Sequence, residues 1–220
     1  MRLAELSRRG GVSTATIKYY LREGLLPPGE RVSATQAEYD EEHLRRLRLV
    51  RALVQVGRVP VATARRVLAE VDDASAGQFA RLGAAVTALP HGPEPSGDPA
   101  TLAEARARAA EVLRQAGRPV VEENPAHGML VASLATLLRL GYPCDVPQLL
   151  PYARAAAGVA AHDLALIGEF EAPSTQLEAA VALTVLYEPV LLSLRRLAQA
   201  EEAARRFGPR AGEPGPDPGT

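Results

Sequence analysis

The chain has 220 residues, with 25 Lys and Arg against 26 Asp and Glu, and a single cysteine. One thiol per subunit cannot supply the ligands of a zinc–thiolate site or an iron–sulfur cluster, and the longest wholly apolar stretches fall short of a membrane span. The length suits one domain of about 75 residues and a second of about 110, both within the common range for domains.

The start of the chain predicts two short helices joined by a tight turn. Leu3 and Leu6 belong to the apolar face of the first helix, and Gly10-Gly11 supplies the turn. Ser13 is a good N-cap for the second helix, and Gly24 is the left-handed stop expected after its last turn. This arrangement is a helix–turn–helix.

The second of these helices has two unlike faces. At about 100° per residue, Ile17, Tyr20 and Leu21 fall on one arc, which is apolar. The other arc is small, hydroxylic and cationic, as a helix needs in order to approach base edges and reach phosphates in a major groove. The predicted DNA-facing arc consists of Thr14, Ala15, Lys18, Tyr19 and Arg22.

The charge distribution supports the same assignment. Residues 1–72 hold 13 Lys and Arg against 9 Asp and Glu, whereas the remainder holds 12 against 17. Lys18 is the single lysine of the chain, beside 24 arginines, and we interpret it as a phosphate contact rather than a merely solvated position. A local basic patch displaces phosphate counterions even when the whole chain is nearly neutral.

Two further helices follow. Asp40 is the predicted N-cap of a helix that runs to Gly57, and Pro60 suits the first turn of the next. The buried stripes are predicted to be Leu44, Leu47, Val50 and Val54, and then Val61, Ala64, Val67, Leu68 and Val71. Four arginines lie off the first stripe, and the sequence leaves open whether they reach phosphate or pair with nearby acids. They are Arg45, Arg46, Arg48 and Arg51.

The rest of the chain predicts helices separated by Pro/Gly-rich connections. Residues 90–99 are rich in proline and glycine and predict a linker or long exposed loop. Four helices are then expected, with apolar stripes over 102–113, 129–138, 146–168 and 174–207. Ser174 is the candidate N-cap of the last, and Pro189 predicts a kink or a break into two helices.

Taken in order, the N-terminal residues resemble the DNA-binding domain of the MerR family of bacterial transcription regulators. The ordered combination between Leu3 and Asp73 is far more specific than any single motif. Its markers are Ala4-Glu5-Leu6, Gly11-Val12-Ser13, Ile17-Lys18-Tyr19-Tyr20, Gly24-Leu25-Leu26-Pro27-Pro28, Tyr39 and Leu44-Arg45-Arg46-Leu47.

The resemblance implies a winged helix–turn–helix, with groove and backbone contacts from Thr14, Thr16, Lys18 and Tyr19 and a wing containing Arg31 and Tyr39. Two departures matter. Lys18 replaces the usual arginine and keeps the charge but cannot form the two parallel hydrogen bonds that a guanidinium makes with a phosphate. Thr35-Gln36-Ala37 replaces the frequent Gly-Tyr-Arg of the wing. The full set of predicted DNA contacts is Thr14, Ala15, Thr16, Lys18, Tyr19, Arg22, Arg31 and Tyr39.

The predicted fold class is mainly α, a MerR-like winged helix–turn–helix followed by an all-α C-terminal domain. The predicted divisions are a DNA-binding domain over 1–73, a short helix with a Pro/Gly-rich linker over 74–100, an all-helical effector and dimerisation domain over 101–207, and a disordered tail over 208–220.

The predicted function is sequence-specific regulation of transcription. The resemblance implies a homodimer that binds double-stranded promoter DNA and distorts it so that RNA polymerase can engage both promoter elements. Family members dimerise through a long helix after the DNA-binding module, but that segment is short and cut by proline here. We therefore expect residues 174–207 to supply much of the dimer contact. The alternative is a MerR-like architectural or protein-partner adaptor without ligand sensing.

Other activities have little support in the sequence. It contains no phosphate-cradling loop or nucleophile motif, which predicts a protein that is not an enzyme. With no signal peptide and one cysteine, a cytoplasmic location without membrane association is expected.

The C-terminal half leaves its effector open. Cys144 is interpreted as a loop or packing residue, and a hard-metal cluster of His162, Asp163 and Glu169 is less favoured than an ion pair on a helix face. The other histidines, His43, His91 and His127, also lack metal-ligand spacing. No metal or cofactor is therefore predicted. A small organic ligand in an apolar pocket and a purely structural dimerisation domain both remain open.

Overall fold

A computed structural model describes residues 1–33, 36–92 and 94–208. Thr35 of the predicted wing, Pro93 of the predicted linker, residues 209–220 of the predicted tail and the Ser174 side chain lie outside this description. The described part is mainly α with one small sheet, which confirms the predicted fold class. Its elements are α1 (Leu3–Gly10), α2 (Thr14–Arg22), β1 (Glu30–Ser33), β2 (Gln36–Glu38), α3 (Glu41–Arg51), a π-helical turn (Ala52–Val56), α4 (Val61–Asp72), α5 (Gln78–Thr87), α6 (Pro99–Gln115), α7 (Pro125–Arg139), α8 (Val146–Gly168) and α9 (Pro173–Phe207).

Local signals at the helix ends account for most of these bounds. The Ser13 side chain caps α2, and Asp40 and His43 form a reciprocal capping box at the start of α3. Gly24 has a φ of +70°, the left-handed conformation expected where the chain leaves α2. Pro60 was expected inside the first turn of α4, but it is the N-cap, because the helix begins at Val61.

The N-terminal core is solid and aliphatic. Leu6 of α1, Ile17 of α2 and Leu47 of α3 are fully buried and belong to one cluster. Gly10 lets α1 approach α3 closely, since a Cβ at this position would overlap the Leu47 side chain. Val67 of α4 is also fully buried in this cluster, so α1 to α4 share one core.

The first half of α9 returns to the N-terminal core. Leu177, Val181 and Val185 are buried in the same cluster, where α9 contacts α3, the π-helical turn, α4 and α5. Gly57 allows this approach, because a Cβ there would overlap the Cγ1 atom of Val185. We call this assembly, α1 to α5 with the wing and residues 177–185, the N-terminal unit.

The helix α9 is continuous through Pro189, so the break into two helices is wrong, whereas the alternative prediction of a kink stays a prediction. A proline removes one backbone hydrogen bond and strains the preceding turn. The turns before it are fixed by packing on the N-terminal unit, and the residues after it are mostly strong helix formers such as Leu, Ala, Arg and Glu. These contributions offset the local cost.

The helices α6, α7 and α8 form a second and smaller core. Its buried residues are Ala105, Ala109, Val131, Leu134, Ala135 and Cys144. None of the described side chains of α8 is fully buried, and Leu164 of its predicted stripe is 57% exposed. Met129, predicted to be buried on α7, is 45% exposed. Both differences follow from the small size of this core, which covers one side of each helix incompletely.

By length and composition alone, the segment Thr175–Phe207 would pass for a membrane span. Its 18-residue window has a mean hydropathy of 1.6, and 17% of that window is buried. One such helix is weak evidence for a membrane, since apolar helices that pack in soluble proteins meet the same test. In this protein the first half of the segment packs against α3 and α5.

Candidate DNA-binding surface

The helix α2 presents the predicted DNA-facing arc to solvent. Ile17 and Tyr20 are buried and fix the helix on the N-terminal unit, as the periodicity predicts. Thr14, Lys18 and Arg22 are exposed on the opposite side. Ala15 is exposed beside them, and its short side chain leaves room for a base edge to approach the helix.

Two predicted contact residues have other partners in the structure. Thr16 is half-buried, and its backbone N–H donates to Ser13 Oγ at 3.1 Å while the two hydroxyl oxygens lie 2.8 Å apart. Tyr19 is also half-buried, and the Arg22 guanidinium lies over its ring at 5.3 Å from the centroid. The first turn of α2 and the orientation of Arg22 are therefore pre-set by neighbouring side chains.

The acidic residue at the C-terminal end of α2, Glu23, is paired with arginines. Glu23 accepts from Arg65 of α4 at 2.8 Å and lies 3.8 Å from Arg22. The Glu23 carbonyl oxygen also accepts from Arg65 Nε at 2.8 Å. Within the described ranges Lys18 has no ion-pair partner, so its ammonium group is available on the exposed face of α2.

The wing is a two-stranded antiparallel hairpin beside α1. Arg31 of β1 faces Ala37 of β2, and Arg31 is exposed. Arg2 donates to the Gln36 side chain at 2.6 Å and lies 3.7 Å from Glu38, which ties β2 to the start of α1. The wing is thus held against the body of the N-terminal unit.

Tyr39 follows β2 directly and is only 7% exposed. Its ring meets the edge of the His43 ring at a centroid distance of 5.2 Å. This position makes Tyr39 the anchor of the wing in the core, and its DNA contact stays a prediction.

The capping box of α3 stabilises the base of the wing. The pKa of Asp40 is lowered to about 2, mainly by the hydrogen bond from the backbone N–H of His43 and less by the hydrogen bond to the His43 side chain. Nε2 of His43 also lies 3.3 Å from the carbonyl oxygen of Pro28. His43 therefore connects the start of α3 to the chain that enters the wing.

The arginines of α3 are mostly occupied by protein groups. Arg45 pairs with Glu42 at 3.2 Å, and the buried Arg46 pairs with Asp72 of α4. Arg51 reaches the Gly10 carbonyl oxygen at 3.4 Å. Of the two interpretations left open by the sequence, pairing within the protein is supported for these residues, whereas Arg48 is exposed.

Sequence reasoning missed Arg2 and Arg65 as supports of this surface. Each contacts a residue more than thirty positions away, so no local pattern marks either one. The structure places Thr14, Ala15, Lys18 and Arg22 on one exposed face, and the exposed Arg31 lies on the wing. The DNA contacts of Thr16 and Tyr19 stay predictions.

The C-terminal half offers little that resembles a metal site. Among the residues described, no group of three or more His, Cys, Asp and Glu side chains is placed to hold a metal ion. Cys144 is buried, and Nη1 of Arg108 lies 3.2 Å from its sulfur. Arg108 also pairs with Asp145 at 2.8 Å, at the start of α8.

Comparison with known proteins identifies the N-terminal unit. Residues 1–71 match the model of the MerR HTH family regulatory proteins. The chain is 40% identical over 50 residues to the HTH-type transcriptional regulator ZntR homolog of Haemophilus influenzae, an alignment of 23% of this chain and 37% of that protein. It is 32% identical over 57 residues to the HTH-type transcriptional regulator AdhR of Bacillus subtilis, covering 26% of this chain and 41% of that protein. The chain thus matches less than half the length of these curated relatives.

A solved structure is similar over nearly the whole chain. SCO5550 from Streptomyces coelicolor A3(2), a proposed transcriptional regulator, is 51% identical with a TM-score of 0.79. The match covers 96% of this chain and 100% of that one. The similarity therefore includes the helical C-terminal half as well as residues 1–71.

Proposed function

Because this chain belongs to the MerR family of helix–turn–helix regulatory proteins, we propose that it is a cytoplasmic homodimer that binds promoter DNA and regulates transcription rather than catalysing a reaction. The observation that carries the proposal is the exposed α2 face, on which Lys18 and Arg22 lie one and two turns after the small residues Thr14 and Ala15. The small residues of such a surface let the helix approach base edges closely, and its cationic side chains are long enough to reach phosphates.

The proposed docking places α2 in a major groove. Thr14 and Ala15 face base edges, Lys18 and Arg22 contact phosphates, and Arg31 on the wing contacts the neighbouring backbone. Thr16 and Tyr19 support the first turn and the Arg22 guanidinium. The Tyr39 hydroxyl adds a contact with the DNA backbone at the base of the wing.

Two such units in a dimer would hold two half-sites at a fixed separation. When that separation differs from the relaxed DNA geometry, binding must bend or untwist the duplex, and this deformation energy can align promoter elements for RNA polymerase. Control by a small organic ligand in the C-terminal half completes the proposal.

The proposed dimer surface is the second half of α9. Val190, Leu191, Leu194 and Leu197 are all more than two-fifths exposed, although they are large and apolar. Contiguous apolar surface of this kind is typical of an interface. Its continuity with the part of α9 in the N-terminal unit would fix the distance between the two α2 helices.

The first test is selection of genomic fragments by the purified protein, followed by sequencing of the enriched DNA. We expect an inverted repeat of two half-sites between promoter elements. Failure to enrich any motif at moderate salt, with and without cell extract as a source of ligand, would contradict a sequence-specific regulator and favour an adaptor.

Substitution of Lys18 tests the placement of α2. Lys18→Ala should weaken binding to all sequences and reduce the slope of log affinity against log salt by about one for each phosphate that the lysine neutralises. Thr14→Ala should instead change the preferred motif, because it removes a base-facing hydroxyl. Fluorescence anisotropy with labelled duplexes measures both effects, and Arg154→Ala on the exposed face of α8 is the control. An unchanged salt slope in Lys18→Ala would contradict this docking.

Substitution within α9 tests the dimer. Light scattering should give a dimer at micromolar concentration for the native protein and a monomer for the double variant Leu194→Glu/Leu197→Glu, because charges would enter the apolar contact. Gln199→Glu, exposed on the same helix, should leave the dimer intact. A native monomer would contradict the proposal.

A further inference from the structure

The helices α6, α7 and α8 leave an apolar cavity beside their small core. Its volume is about 450 Å³, and it opens to solvent. This size lies within the range of small-molecule pockets, which are mostly apolar with a few placed polar groups. The lining consists of Val112, Leu113, Arg118, Leu130, Leu149 and Tyr152 with four alanines of α8, Ala153, Ala156, Ala157 and Ala160.

The alanines explain why the space exists. They occupy one side of α8, where a methyl group is too short to reach the aliphatic residues of α6 and α7. Large side chains at these positions would close the cavity, as leucines do in the N-terminal unit. The result is an apolar recess wide enough for a hydrocarbon or aromatic body.

A single formal charge lies in this apolar lining. Gly117, with a φ of +70°, follows the C-cap of α6, and the Arg118 N–H donates back to the Leu113 carbonyl oxygen at 2.9 Å. This turn fixes the Arg118 backbone against the cavity. In the ranges that the structure covers, the Arg118 guanidinium has no hydrogen-bond or ion-pair partner, in contrast to Arg114, which pairs with Glu111.

A second arginine lies next to the cavity wall. The guanidinium of Arg195 on α9 sits over the Tyr152 ring at 5.5 Å from the centroid, and Tyr152 lines the cavity. The described lining contains no acidic side chain. The opening is therefore electropositive while the interior is apolar.

We propose that this cavity binds a small monocarboxylate whose aliphatic or aromatic body fills the apolar recess and whose carboxylate pairs with Arg118. A guanidinium offers a carboxylate two parallel hydrogen bonds, and the alanine wall accepts a body without polar groups. The inference rests on the proposed ligand control of this regulator and names the site and the chemical class of its ligand.

The cavity also has a physical connection to the DNA-binding surface. A ligand against Tyr152 touches the ring over which the Arg195 guanidinium lies, and Arg195 belongs to α9. The first half of α9 is anchored in the N-terminal unit by the buried Leu177 and Val181. Occupancy can thus bias the position of α9, on which the dimer spacing depends in the proposed function.

Calorimetric titration of the full chain with hexanoate, octanoate and decanoate, without DNA, tests the site. We expect saturable binding that tightens about fourfold per methylene until the recess is filled. Octanoate should bind about threefold more tightly than octanol, because the alcohol cannot form the charge-assisted pair with the exposed Arg118 guanidinium. Equal affinity for octanol would overturn the assignment of an anionic ligand.

Matched variants locate the binding. Ala157→Phe fills the recess and should abolish octanoate binding, whereas Ala155→Phe, exposed on α8 outside the lining, should not. Arg118→Met should remove the preference for octanoate over octanol, whereas Arg154→Met should keep it. Circular dichroism and thermal melting confirm that each variant is folded.

The outcomes are distinct from those of the proposed DNA binding. No saturable binding by the native chain, or unchanged binding in folded Ala157→Phe, overturns the site even when promoter DNA is bound normally. A change of oligomeric state in Ala157→Phe, without carboxylate binding to the native chain, also overturns it and assigns the recess to a second copy. Carboxylate binding that requires both Ala157 and Arg118 upholds the site even if no DNA motif is found.

Discussion

The N-terminal unit and the α6–α8 core are both helical, yet they are packed in opposite ways. Leu6, Leu44 and Leu47 are almost completely buried in the first, where large aliphatic side chains fill the space between helices. In the second, three of the six buried residues are alanines, two of them Ala105 and Ala109 of α6, and a cavity of about 450 Å³ remains beside them. Side-chain volume, rather than helical content, decides whether neighbouring helices meet in a solid core.

This difference suits the two proposed tasks, DNA binding and ligand binding. A surface that must match a duplex has to be held rigidly, and the leucine-rich core beneath α2 provides that support. A site that admits a ligand needs space and freedom to adjust, which an alanine-lined recess provides. The second half of α9 is a third kind of surface, since Leu194 and Leu197 are more than half exposed and are the residues proposed to contact a second copy.

The largest expected effect comes from removing a core leucine. Leu47→Ala should lower the free energy of unfolding by about 3 kcal/mol, because it deletes three fully buried side-chain carbons and leaves a void. Leu149→Ala should cost about 1 kcal/mol or less, since Leu149 is half-buried and already borders a cavity. Urea unfolding followed by circular dichroism measures both. Equal losses would break the contrast between the two cores.

A methyl group at Gly57 tests the contact between α9 and the N-terminal unit. Gly57→Ala should destabilise the protein by about 2 kcal/mol, because the new Cβ overlaps Val185, whose β-branched side chain cannot rotate away easily. Gly83→Ala in α5 has open space around its Cβ and should be neutral or stabilising by up to about 1 kcal/mol. Thermal melting compares the two. A neutral Gly57→Ala would show that this contact is loose.

The smallest expected effect is at the helix caps, and it depends on pH. Asp40→Ala should cost about 1 kcal/mol at pH 7, because the Asp40 side chain accepts from the His43 N–H at the start of α3. Asp145→Ala at the start of α8 should cost less, since the Asp145 side chain makes no capping hydrogen bond there and loses only an exposed ion pair with Arg108.

The sign of the pH dependence follows from the lowered pKa of Asp40. Its ionised form stabilises the folded state fully above the ordinary pKa of 3.8, and this contribution is lost as the pH falls toward about 2. The difference between native protein and Asp40→Ala should therefore shrink over that window, reduced throughout by solvent screening. A difference that stays constant down to pH 2 would contradict the role of the charge. Urea midpoints at several pH values supply the measurement.

Local signals in the sequence predict much of the N-terminal unit. The Ser13 and Asp40 caps, the left-handed Gly24 and the apolar face of Ile17 and Tyr20 each depend on residues within one or two turns, and all are confirmed. The DNA contacts proposed for Thr14, Ala15, Lys18 and Arg22 remain predictions, although their exposure on one face supports them.

Long-range packing could not be predicted in the same way. Periodicity shows that α9 has an apolar stripe but not which surface covers it, so the return of Val181 to the N-terminal core was missed. The exposure of Met129 and Leu164 was missed for the related reason that an apolar stripe does not reveal the size of the core it meets. Pro189 is tolerated because of packing and composition on either side, which a local rule for proline does not weigh.

The return of α9 has a consequence for the synthesis of this protein. Leu53 and Val59 of the N-terminal unit share their core with Leu177 and Val185, which are more than a hundred positions later in the chain. A nascent chain that has emerged only as far as α5 leaves part of that apolar surface open, and the ribosome must deliver some 100 further residues before the surface is covered. The N-terminal unit, although first to be translated, is among the last parts to be completed.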